Sequence, residues 1–535
     1  MDAQTLVRRI IEAGFFLGAV LLAVFVAPNS PFLVIGICFG LFGLIALGKL
    51  GRNIWVLFPM SAGLSGNINL IKGGLTPLHL VCIILFFYCL YLLKADPTFR
   101  IRTGPMWFFI PLFCITLLLA FNWLKGRDLG LNVFGSVRVG GKNYMNCVLP
   151  FIGYIATISI HQPNPKHDIR LPLYILSGYL VDALIFVTTT LVPASAPVFF
   201  RIYECINIEA YQATQVSQIS EIAGGYVTRF GRSGHLAYVL LACLQAYLPW
   251  ITWIRVPTLL FAPLIAFFAV VCSLISGFRN YLVRFVIVTL IGIWQSFGIY
   301  SLFLALPAVS VVAVLVFGQG TMFNLPPVIQ RTLLFLPGNW DREIARGAKG
   351  SADFRKDLRR VYFKEFYRAD NFLGAGYLYD REDLLYSQEA FWRNMGLRQA
   401  VDQDDGVRSF IRRRAHHEGI IDIHHILGHV GTVIWVIFGM MALWKCLSFL
   451  LVEEGKRNPT ANFGATLIVV VVLTYWFLFG CLKEMMPELY SFMFCFVVGQ
   501  KTLFRSKSSR RDPVTLNKPA AFHNDAPAHP LQSYD

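Results

Sequence analysis

The stretch HVGTVIWVIFGMMALWKCLSFLLV, residues 429 to 452, is apolar almost throughout. About 20 apolar residues in a helix are long enough to cross the ~30 Å hydrocarbon core of a bilayer. In lipid the backbone has to satisfy its own hydrogen bonds, and an α-helix does this within the segment. The stretch therefore predicts a membrane-spanning α-helix.

Similar runs recur along the 535-residue chain, of which 56% is hydrophobic and 15% charged. A soluble protein carries about a quarter charged residues, so the composition excludes an ordinary soluble protein. It predicts an all-α, polytopic integral membrane protein with about 12–14 transmembrane helices. The first apolar run is followed directly by a second, which favours a retained span over a cleavable signal peptide. Clear spans are predicted at 11–28, 31–49, 76–94, 105–123, 144–162, 171–192, 236–254, 257–276, 281–297, 300–317, 429–452, 463–482 and 486–503.

A weaker stretch at 54–72, IWVLFPMSAGLSGNINLIK, decides the orientation. It is interrupted by Pro59 and by polar and glycine residues, but counting it as a span makes the total even. Short basic loops mark the cytoplasmic side of a membrane, and with an even count both termini are cytoplasmic. The long hydrophilic segment 318–428 then faces outward. We expect this loop to be partly helical, near 351–368 and 382–400, and packed over the membrane surface.

Composition divides the chain into four parts. The tail is rich in Ser, Pro, Asn and Asp, has no apolar period, and is predicted to be disordered and cytoplasmic. The parts are an N-terminal transmembrane bundle (1–317), a large outward loop (318–428), C-terminal transmembrane helices (429–505) and the tail (506–535).

The short loop 124–143 breaks the orientation rule. It carries Lys125, Arg127, Arg138 and Lys142, yet the span count places it outside. Either the count fails there or these cations hold an anion. The net charge of +16 for the whole chain indicates membrane orientation and contact with anionic lipids rather than nucleic acid.

The stretch RRRAHHEGIIDIHHILGHVG, residues 412 to 431, contains a cluster of histidines. They are His416, His417, His424, His425 and His429. His425 and His429 are spaced to share one helical face as metal ligands, but no third ligand with suitable spacing is evident, so no metal site is predicted. The simpler interpretation of His424, His425 and His429 is that they anchor the following span at the membrane interface.

His417 is followed by Gly419, and then by Gly428 and Gly431 leading into the apolar helix. In this the stretch resembles the O-antigen ligase and O-antigen polymerase family. In that family a histidine at the end of a large periplasmic loop precedes a glycine-punctuated transmembrane helix. His416 is a rival for the same position, and Glu418 stands where a small or amide side chain is usual.

Three other stretches resemble the family in order and spacing. SLISGFRNYLVRFVIVTL (273–290) is similar to the family's arginine motif between two spans, with Phe278 and Asn280 as departures from it. LPPVIQRTLLFLPGNWD (325–341), followed by KGSADFRKDLRRVYF (349–363), resembles the start of the large loop. NFLGAGYLYD (371–380) resembles its central leucine-glycine turn, with Ala375 in place of a residue that is often polar.

The resemblance implies transfer of a glycan from a polyprenyl-pyrophosphate donor to a glycan or lipid hydroxyl acceptor, at the periplasmic face of the bacterial inner membrane. Arg279 and Arg355 would hold the leaving diphosphate, because guanidinium groups bind phosphate oxygens in pairs and stay charged. His417 would be the acceptor base, since imidazole is mostly neutral at physiological pH. With two arginines in this role no metal and no cofactor are expected. Further predicted substrate-binding residues are Arg127, Arg138, Lys142 and Arg331.

Taken without the resemblance, the same residues have simpler interpretations. An arginine at a span terminus, such as Arg279, is usually an interfacial anchor. Arg355 lies in a charge pattern typical of a solvated helix. A membrane transporter or lipid flippase is the alternative function, supported by Asp182 inside a predicted span. No second acidic residue or lysine interrupts a neighbouring span at midplane depth, and a hydrogen bond from Asp182 to Tyr179 or to one of Thr188 to Thr190 would account for it. The sequence does not separate a ligase from a polymerase.

Overall fold

The structure is a computed structural model. It describes residues 50–68, 75–125, 141–205, 230–250, 252, 261–368, 370–377, 407–408, 411–412, 414, 416, 418–452, 458–477 and 480–511. The predicted spans 11–28 and 31–49 and the predicted loop helix 382–400 lie outside the described residues.

The described chain is almost entirely helical. Its α-helices are α1 (Leu57–Ala62), α2 (Pro77–Ala95), α3 (Met106–Lys125), α4 (Lys142–Ile160), α5 (Pro165–Asp168), α6 (Leu171–Leu191), α7 (Ala196–Ile202), α8 (Gly231–Tyr247), α9 (Phe261–Ile275), α10 (Arg279–Phe297), α11 (Ser301–Gly318), α12 (Pro327–Leu333), α13 (Arg342–Val361), α14 (Gly419–Leu451), α15 (Pro459–Phe477) and α16 (Leu482–Arg511). Two short strands, β1 (Asn67–Ile68) and β2 (Tyr203–Glu204), pair antiparallel. Short 3₁₀ turns occupy Gly51–Val56, Pro193–Ser195 and Gly298–Tyr300, and a π-helical turn occupies Tyr362–Phe366.

Within the described residues, seven helices are long and apolar enough to cross a membrane. They are α2, α3, α4, α6, α10, α14 and α15, and α9 is apolar but shorter. Their bounds follow the predicted spans to within a few residues for most of them, as with Pro77–Ala95 against 76–94. The chain is an all-α polytopic membrane protein. The total of about 12–14 spans stays a prediction.

The predicted span 54–72 is not a continuous helix. Helix α1 ends at Ala62. Beyond it the chain passes so close to α6 that a Cβ atom on Gly63 would lie 2.3 Å from the backbone nitrogen of Tyr179. The chain then forms β1. The stretch is therefore not the single apolar helix that was predicted, but it passes from Arg52, at the end of α2, to Asn67, which accepts from Lys142 at the start of α4. A membrane crossing by this stretch stays a prediction.

The ends of α3 and α4 meet the long loop at one end of the bundle, which we call the loop end. Asn122 Nδ2, near the end of α3, donates to the Leu373 carbonyl at 2.8 Å. The Tyr377 backbone N–H donates to the Tyr144 hydroxyl, near the start of α4, at 2.8 Å. Both ends of the cation-bearing loop 124–143 therefore lie on the side of the long loop.

The opposite end of the bundle gathers the end of α4 with the starts of α6 and α15. His161 Nε2 lies 2.8 Å from Asp168 Oδ1, and Thr460 Oγ1 donates to the Asp168 carbonyl at 2.7 Å. Arg52 and Asp96 form an ion pair at 2.5 Å just beyond the end of α2. Arg52, one of the cations predicted to be cytoplasmic, thus lies away from the long loop.

Helix α14 is broken within its length. It begins at Gly419, well before the span start predicted at 429. At Gly428 φ is 68° and ψ is −168°, values outside the helical region that glycine adopts at little cost. The predicted boundary between loop and span falls at the break, and the end of the predicted loop belongs to the helix.

The loop segment 371–376 closes this break on its N-terminal side. The backbone N–H groups of Ala375 and Gly376 donate to the carbonyls of His425 and Ile426 at 2.9 and 3.0 Å. These carbonyls are at the end of the first half of α14, where the helix offers them no donor of its own.

The same segment also accepts hydrogen bonds from the second half of the helix. The N–H groups of His429 and Val430 donate to the carbonyls of Asn371 and Phe372 at 3.0 and 3.1 Å. The segment 371–376 and α14 are in such close contact that a Cβ atom on Gly374 would lie 2.1 Å from the carbonyl oxygen of Ile426. Irregular backbone at membrane depth is tolerated only where protein groups satisfy it. The glycine-rich turn and the glycine-punctuated helix are therefore one structural unit.

The long loop has a small hydrophobic core of its own. Ile421 belongs to this core and lies in the first turn of α14, so the core holds α13 against the start of α14. Helix α13 and the π-helical turn after it confirm the helix predicted near 351–368. The core consists of Leu358, Val361, Tyr362, Val407, Ile411 and Ile421.

Helix α16 continues to Arg511. The helix thus includes the first residues of the predicted tail 506–535, and residues 512–535 lie outside the described residues.

Candidate functional site

Arg279 begins helix α10 at the loop end of the bundle. The turn before it depends on Gly277, whose φ of 72° is left-handed and suits glycine. Thr332 Oγ1 of α12 donates to the Leu274 carbonyl at 3.0 Å, which holds the start of the long loop beside this turn. Arg279 is half-buried and lies where the large loop meets the bundle.

Arg355, on α13, lies near Arg279. It is half-buried, and burial lowers its pKa. The carboxylate of Glu418 opposes this shift, while the charges of Arg279 and Arg359 lower the pKa further. The fold therefore holds Arg279 and Arg355, which are far apart in sequence, close enough for their charges to repel.

Glu418 lies at the N-terminus of α14, on the same side as these arginines. Its Oε1 is 3.7 Å from Arg359 Nε, and 14% of its side chain is exposed, against 58% for Arg359. Burial raises the pKa of Glu418, and Arg359 and then Arg355 act to lower it. We call Arg279, Arg355, Arg359 and Glu418 the arginine cluster. Its three guanidinium groups and one carboxylate form a positively charged site at the loop end.

The predicted base, His417, lies outside the described residues, although both of its neighbours are described. Glu418 belongs to the arginine cluster. His416 is fully buried, which weakens it as a rival candidate for the base.

His416 belongs to a chain of hydrogen bonds between buried side chains. Its Nδ1 lies 2.9 Å from Asp422 Oδ1, and its Nε2 lies 2.8 Å from His425 Nδ1. His425 Nε2 lies 2.6 Å from Arg414 Nη1. The second oxygen of Asp422 accepts the Leu482 backbone N–H at 2.7 Å. We call Arg414, His425, His416 and Asp422 the histidine chain.

The protonation of this chain follows from its two ends. Arg414 can only donate, so Nε2 of His425 accepts and its Nδ1 carries the proton. That proton is donated to Nε2 of His416, whose own Nδ1–H is donated to Asp422. Both imidazoles are therefore neutral, and each has a single tautomer.

The histidine chain corrects two sequence-based interpretations. Both ring nitrogens of His416 are already used, so it has no free nitrogen to accept a proton from a substrate. His425 is 6% exposed, so its interpretation as an interfacial anchor is wrong. Hydrogen-bond partners that are distant in sequence, and not lipid headgroups, determine its position.

A second set of contacts joins the loop to α14 through His424. The Tyr362 hydroxyl, in the π-helical turn, lies 2.6 Å from His424 Nδ1. His424 Nε2 lies 3.2 Å from Nδ1 of His429, and the Tyr367 ring stacks on His424 with centroids 5.2 Å apart. His424 is buried and is therefore not an interfacial anchor, whereas His429 is half-buried.

Two of the predicted substrate-binding cations are described. Lys142 is buried, and its Nζ donates to Asn67 Oδ1 at 2.6 Å. Arg331 is half-buried in α12. Arg127 and Arg138 lie outside the described residues. The role of these cations in holding substrate stays a prediction.

Asp182, expected to stand alone, has several polar partners. Arg232 Nε of α8 lies 3.4 Å from Asp182 Oδ2. Ser65 Oγ donates to the same oxygen at 3.2 Å, and the Tyr203 hydroxyl donates to the other oxygen. The expected bonds to Tyr179 or to a nearby threonine are not the interactions observed. The partners come from β2, from the segment before β1 and from α8.

A second intramembrane ion pair was missed in the sequence. Arg284 of α10 is 1% exposed, and its Nη1 lies 3.2 Å from Glu488 Oε2 of α16 and donates to the Tyr238 hydroxyl at 3.0 Å. His235 Nε2 lies 3.7 Å from Glu488 Oε1. An arginine within the predicted span 281–297 was the signal that could have pointed to it.

Within the described ranges, no group of three or more His, Cys, Asp or Glu side chains is arranged to hold a metal ion. Where the imidazoles approach each other, their nitrogens form hydrogen bonds to one another and to Asp422.

The fold and the two kinds of polar site define a class: an all-α polytopic membrane protein with a positively charged cluster at one end of its bundle and ion pairs inside it. Comparison with known protein families gives no family match for this chain, and no curated protein matches it.

Proposed function

We propose that this chain is a membrane glycosyltransferase of the O-antigen ligase and polymerase type. It transfers a glycan from a polyprenyl-pyrophosphate donor to a hydroxyl acceptor, for surface polysaccharide or lipopolysaccharide assembly. The observation that carries the proposal is the proximity of Arg279 and Arg355 at the loop end, beside the residue that follows His417.

Two half-buried guanidinium groups that repel each other form a site that an anion stabilises. A diphosphate suits it, because each guanidinium can bind two phosphate oxygens in its plane. The lipid-facing surfaces of the bundle suit a donor whose polyprenyl tail stays in the membrane. Bulk anions lack this tail, so the combination favours a membrane-anchored diphosphate.

In the proposed reaction the acceptor hydroxyl oxygen attacks the anomeric carbon of the donor sugar. The bond from that carbon to the diphosphate oxygen breaks, and its electron pair stays on the diphosphate. Arg279 and Arg355 stabilise the charge that develops there. The hydroxyl proton passes to the imidazole of His417. The proposal requires neither a metal nor a redox cofactor.

The proposed location is the bacterial inner membrane, with both termini cytoplasmic and the long loop in the periplasm. The proposed partners are the lipid-linked glycan, a glycan or lipid acceptor, and the surrounding lipids. Arg52 and Lys94 lie at the end of α2, away from the loop, and support this orientation through the positive-inside rule.

The direct test is transfer by the purified full-length chain. It is incubated with a polyprenyl-pyrophosphate glycan and candidate acceptors, with and without a chelator. We expect a transferred product and released polyprenyl diphosphate, equally with and without the chelator. Absence of transfer with every acceptor, from protein that binds no donor, would contradict the proposal.

Variants assign the roles. His417→Ala should keep donor binding while transfer falls by about 10²–10⁴-fold, the usual range of general-base catalysis. Arg279→Lys and Arg355→Lys keep the charge but lose paired binding of phosphate oxygens, so both should reduce transfer strongly. Arg408→Lys is the matched control, since Arg408 binds Glu365 through two nitrogens elsewhere on the loop. Parent-like transfer in all the site variants would contradict the assignment.

A transporter or lipid flippase is the second candidate. The observation that favours it is the pair of intramembrane ion pairs, Asp182–Arg232 and Arg284–Glu488, since charged residues inside a membrane often mark substrate or ion pathways. Translocation of a labelled lipid diphosphate in proteoliposomes, without any acceptor present, would favour this candidate.

A further inference from the structure

Glu418 is the carboxylate of the arginine cluster. Its Oε1 lies 3.7 Å from Arg359 Nε, and its charge acts on Arg355 as well.

The helix does not use this side chain. Glu418 is the N-cap residue of α14, but its side chain makes no capping hydrogen bond. The positive end of the helix dipole favours an anion at this place. The carboxylate thus remains available to the guanidinium groups.

A carboxylate and a phosphate group offer guanidinium the same kind of acceptor, a pair of oxygens in one plane. Both therefore compete for the same donors. Burial raises the pKa of Glu418, while Arg359 and then Arg355 lower it, so these arginines favour its charged form.

We infer that Glu418 is an internal anion that occupies the arginine cluster and is displaced when a diphosphate binds. The inference rests on the proposed function. Without donor, Glu418 reduces the repulsion between the guanidinium groups. When diphosphate binds, its oxygens replace the carboxylate on Arg355 and Arg359. After transfer, the return of Glu418 promotes release of the lipid diphosphate.

The experiment measures binding of inorganic pyrophosphate and of a polyprenyl diphosphate to the full-length chain in detergent. Glu418→Gln removes the charge while keeping the size of the side chain. We expect the variant to bind both ligands about tenfold more tightly, the scale of removing one nearby like charge from a partly buried site. The gain should shrink at high salt.

Glu365→Gln is the matched control. Glu365 is also a loop carboxylate paired with an arginine, with Oε2 and Oε1 at 2.8 and 2.9 Å from two nitrogens of Arg408. This control should bind diphosphate like the parent. Glu418→Asp withdraws the carboxylate by one methylene and should give a smaller gain, so it provides a second variant if the glutamine variant folds poorly.

The outcomes separate the two proposals. If the parent binds diphosphate and neither Glu418 variant binds it more tightly, the inference is overturned and the proposed function stands. If the parent binds neither ligand, the anion site itself, and with it the proposed function, is overturned. Tighter binding in the Glu365→Gln control would also overturn the inference, because a general change of loop charge would explain it.

Discussion

Asp422 and Arg414 stand at the two ends of a chain of two buried imidazoles. Each charge is buried, at 0% and 8% exposed, and a buried charge is costly unless it is paired. Here the two charges are connected by two neutral histidines, and each group from Arg414 to Asp422 donates a hydrogen bond to the next. Arg414 has a left-handed φ of 53°, a strained conformation for a residue with a side chain, which the surrounding contacts maintain. The two charges should therefore be coupled although they do not touch.

Asp422→Ala should lower the free energy of unfolding by about 3–5 kcal/mol, because it breaks a buried charged network by removing one of its two charges. Arg414→Met should lower the free energy of unfolding by a similar amount, because it removes the other charge and leaves the buried carboxylate of Asp422. The double variant should cost clearly less than the sum of the two, since both charges are removed together. Chemical unfolding in detergent measures this.

The control for this cycle is Glu365→Gln, which breaks an exposed ion pair and should cost about 1 kcal/mol or less. Costs that simply add in the double variant would show that the two ends of the histidine chain are not coupled.

At the scale of elements, the main feature is the break in α14 and the loop segment inserted into it. The first half of the helix follows its N-cap residue Glu418 and carries Asp422 and His425 of the histidine chain, and the second half forms the predicted membrane span. Because the segment 371–376 bonds to both halves, it fixes how one half is placed against the other. The arginine cluster is positioned by this arrangement, since Glu418 is on the first half.

Gly428→Ala should therefore destabilise the protein by about 1–3 kcal/mol, the cost of a strained backbone conformation, with a further steric cost. A Cβ atom there would lie 2.3 Å from the backbone nitrogen of Gly374. The segment would have to leave the break, and we expect proteolysis near 371–376 to become faster.

Gly298→Ala is the matched control for this change. Gly298 also has a left-handed φ, 56°, but no atom lies within 4 Å of the added Cβ. It should show only the conformational cost, about 1–3 kcal/mol, without the added steric cost. Equal effects of the two substitutions would argue against the inserted segment as the reason.

At the scale of the whole molecule, two ion pairs lie inside the bundle, Asp182–Arg232 and Arg284–Glu488. Arg284 is also covered by aromatic rings, lying 5.2 Å from the Tyr238 ring centroid and 5.1 Å from that of Tyr475. Arg284 and its contacts with Tyr238, Tyr475 and Glu488 therefore connect four helices, α8, α10, α15 and α16. A buried ion pair of this kind serves either the geometry of the bundle or a transport pathway, and the two roles differ in what its removal does.

Arg284→Met and Glu488→Met should each cost about 3–5 kcal/mol, since each leaves one buried charge. The double variant should be milder, because replacing a whole buried pair by apolar residues is often nearly neutral. We expect the double variant to retain glycan transfer. Loss of transfer together with loss of lipid translocation in proteoliposomes would favour the transporter instead.

The sequence by itself determined the class of protein and most of the helix bounds. Hydropathy is a local property, so an apolar run such as 105–123 finds the helix Met106–Lys125 without knowledge of its neighbours. The order of the motifs also led to Arg279 and Arg355 as candidates for one site. The role assigned to them, and that of His417, stays a prediction.

The tertiary structure alone decided which polar residues have partners. The stretch 54–72 is apolar enough to suggest one continuous helix, but Gly63 packs on α6, Gly66 packs on β2, and the strand at its end pairs with β2. The sequence predicts an interfacial anchor at His425 because its partners, Arg414 and His416, become its neighbours only through the fold. Glu488 was missed for the same reason. The cost of burying a polar group depends on a partner from a distant segment, and such a partner is set by packing, not by the residues next to it in sequence.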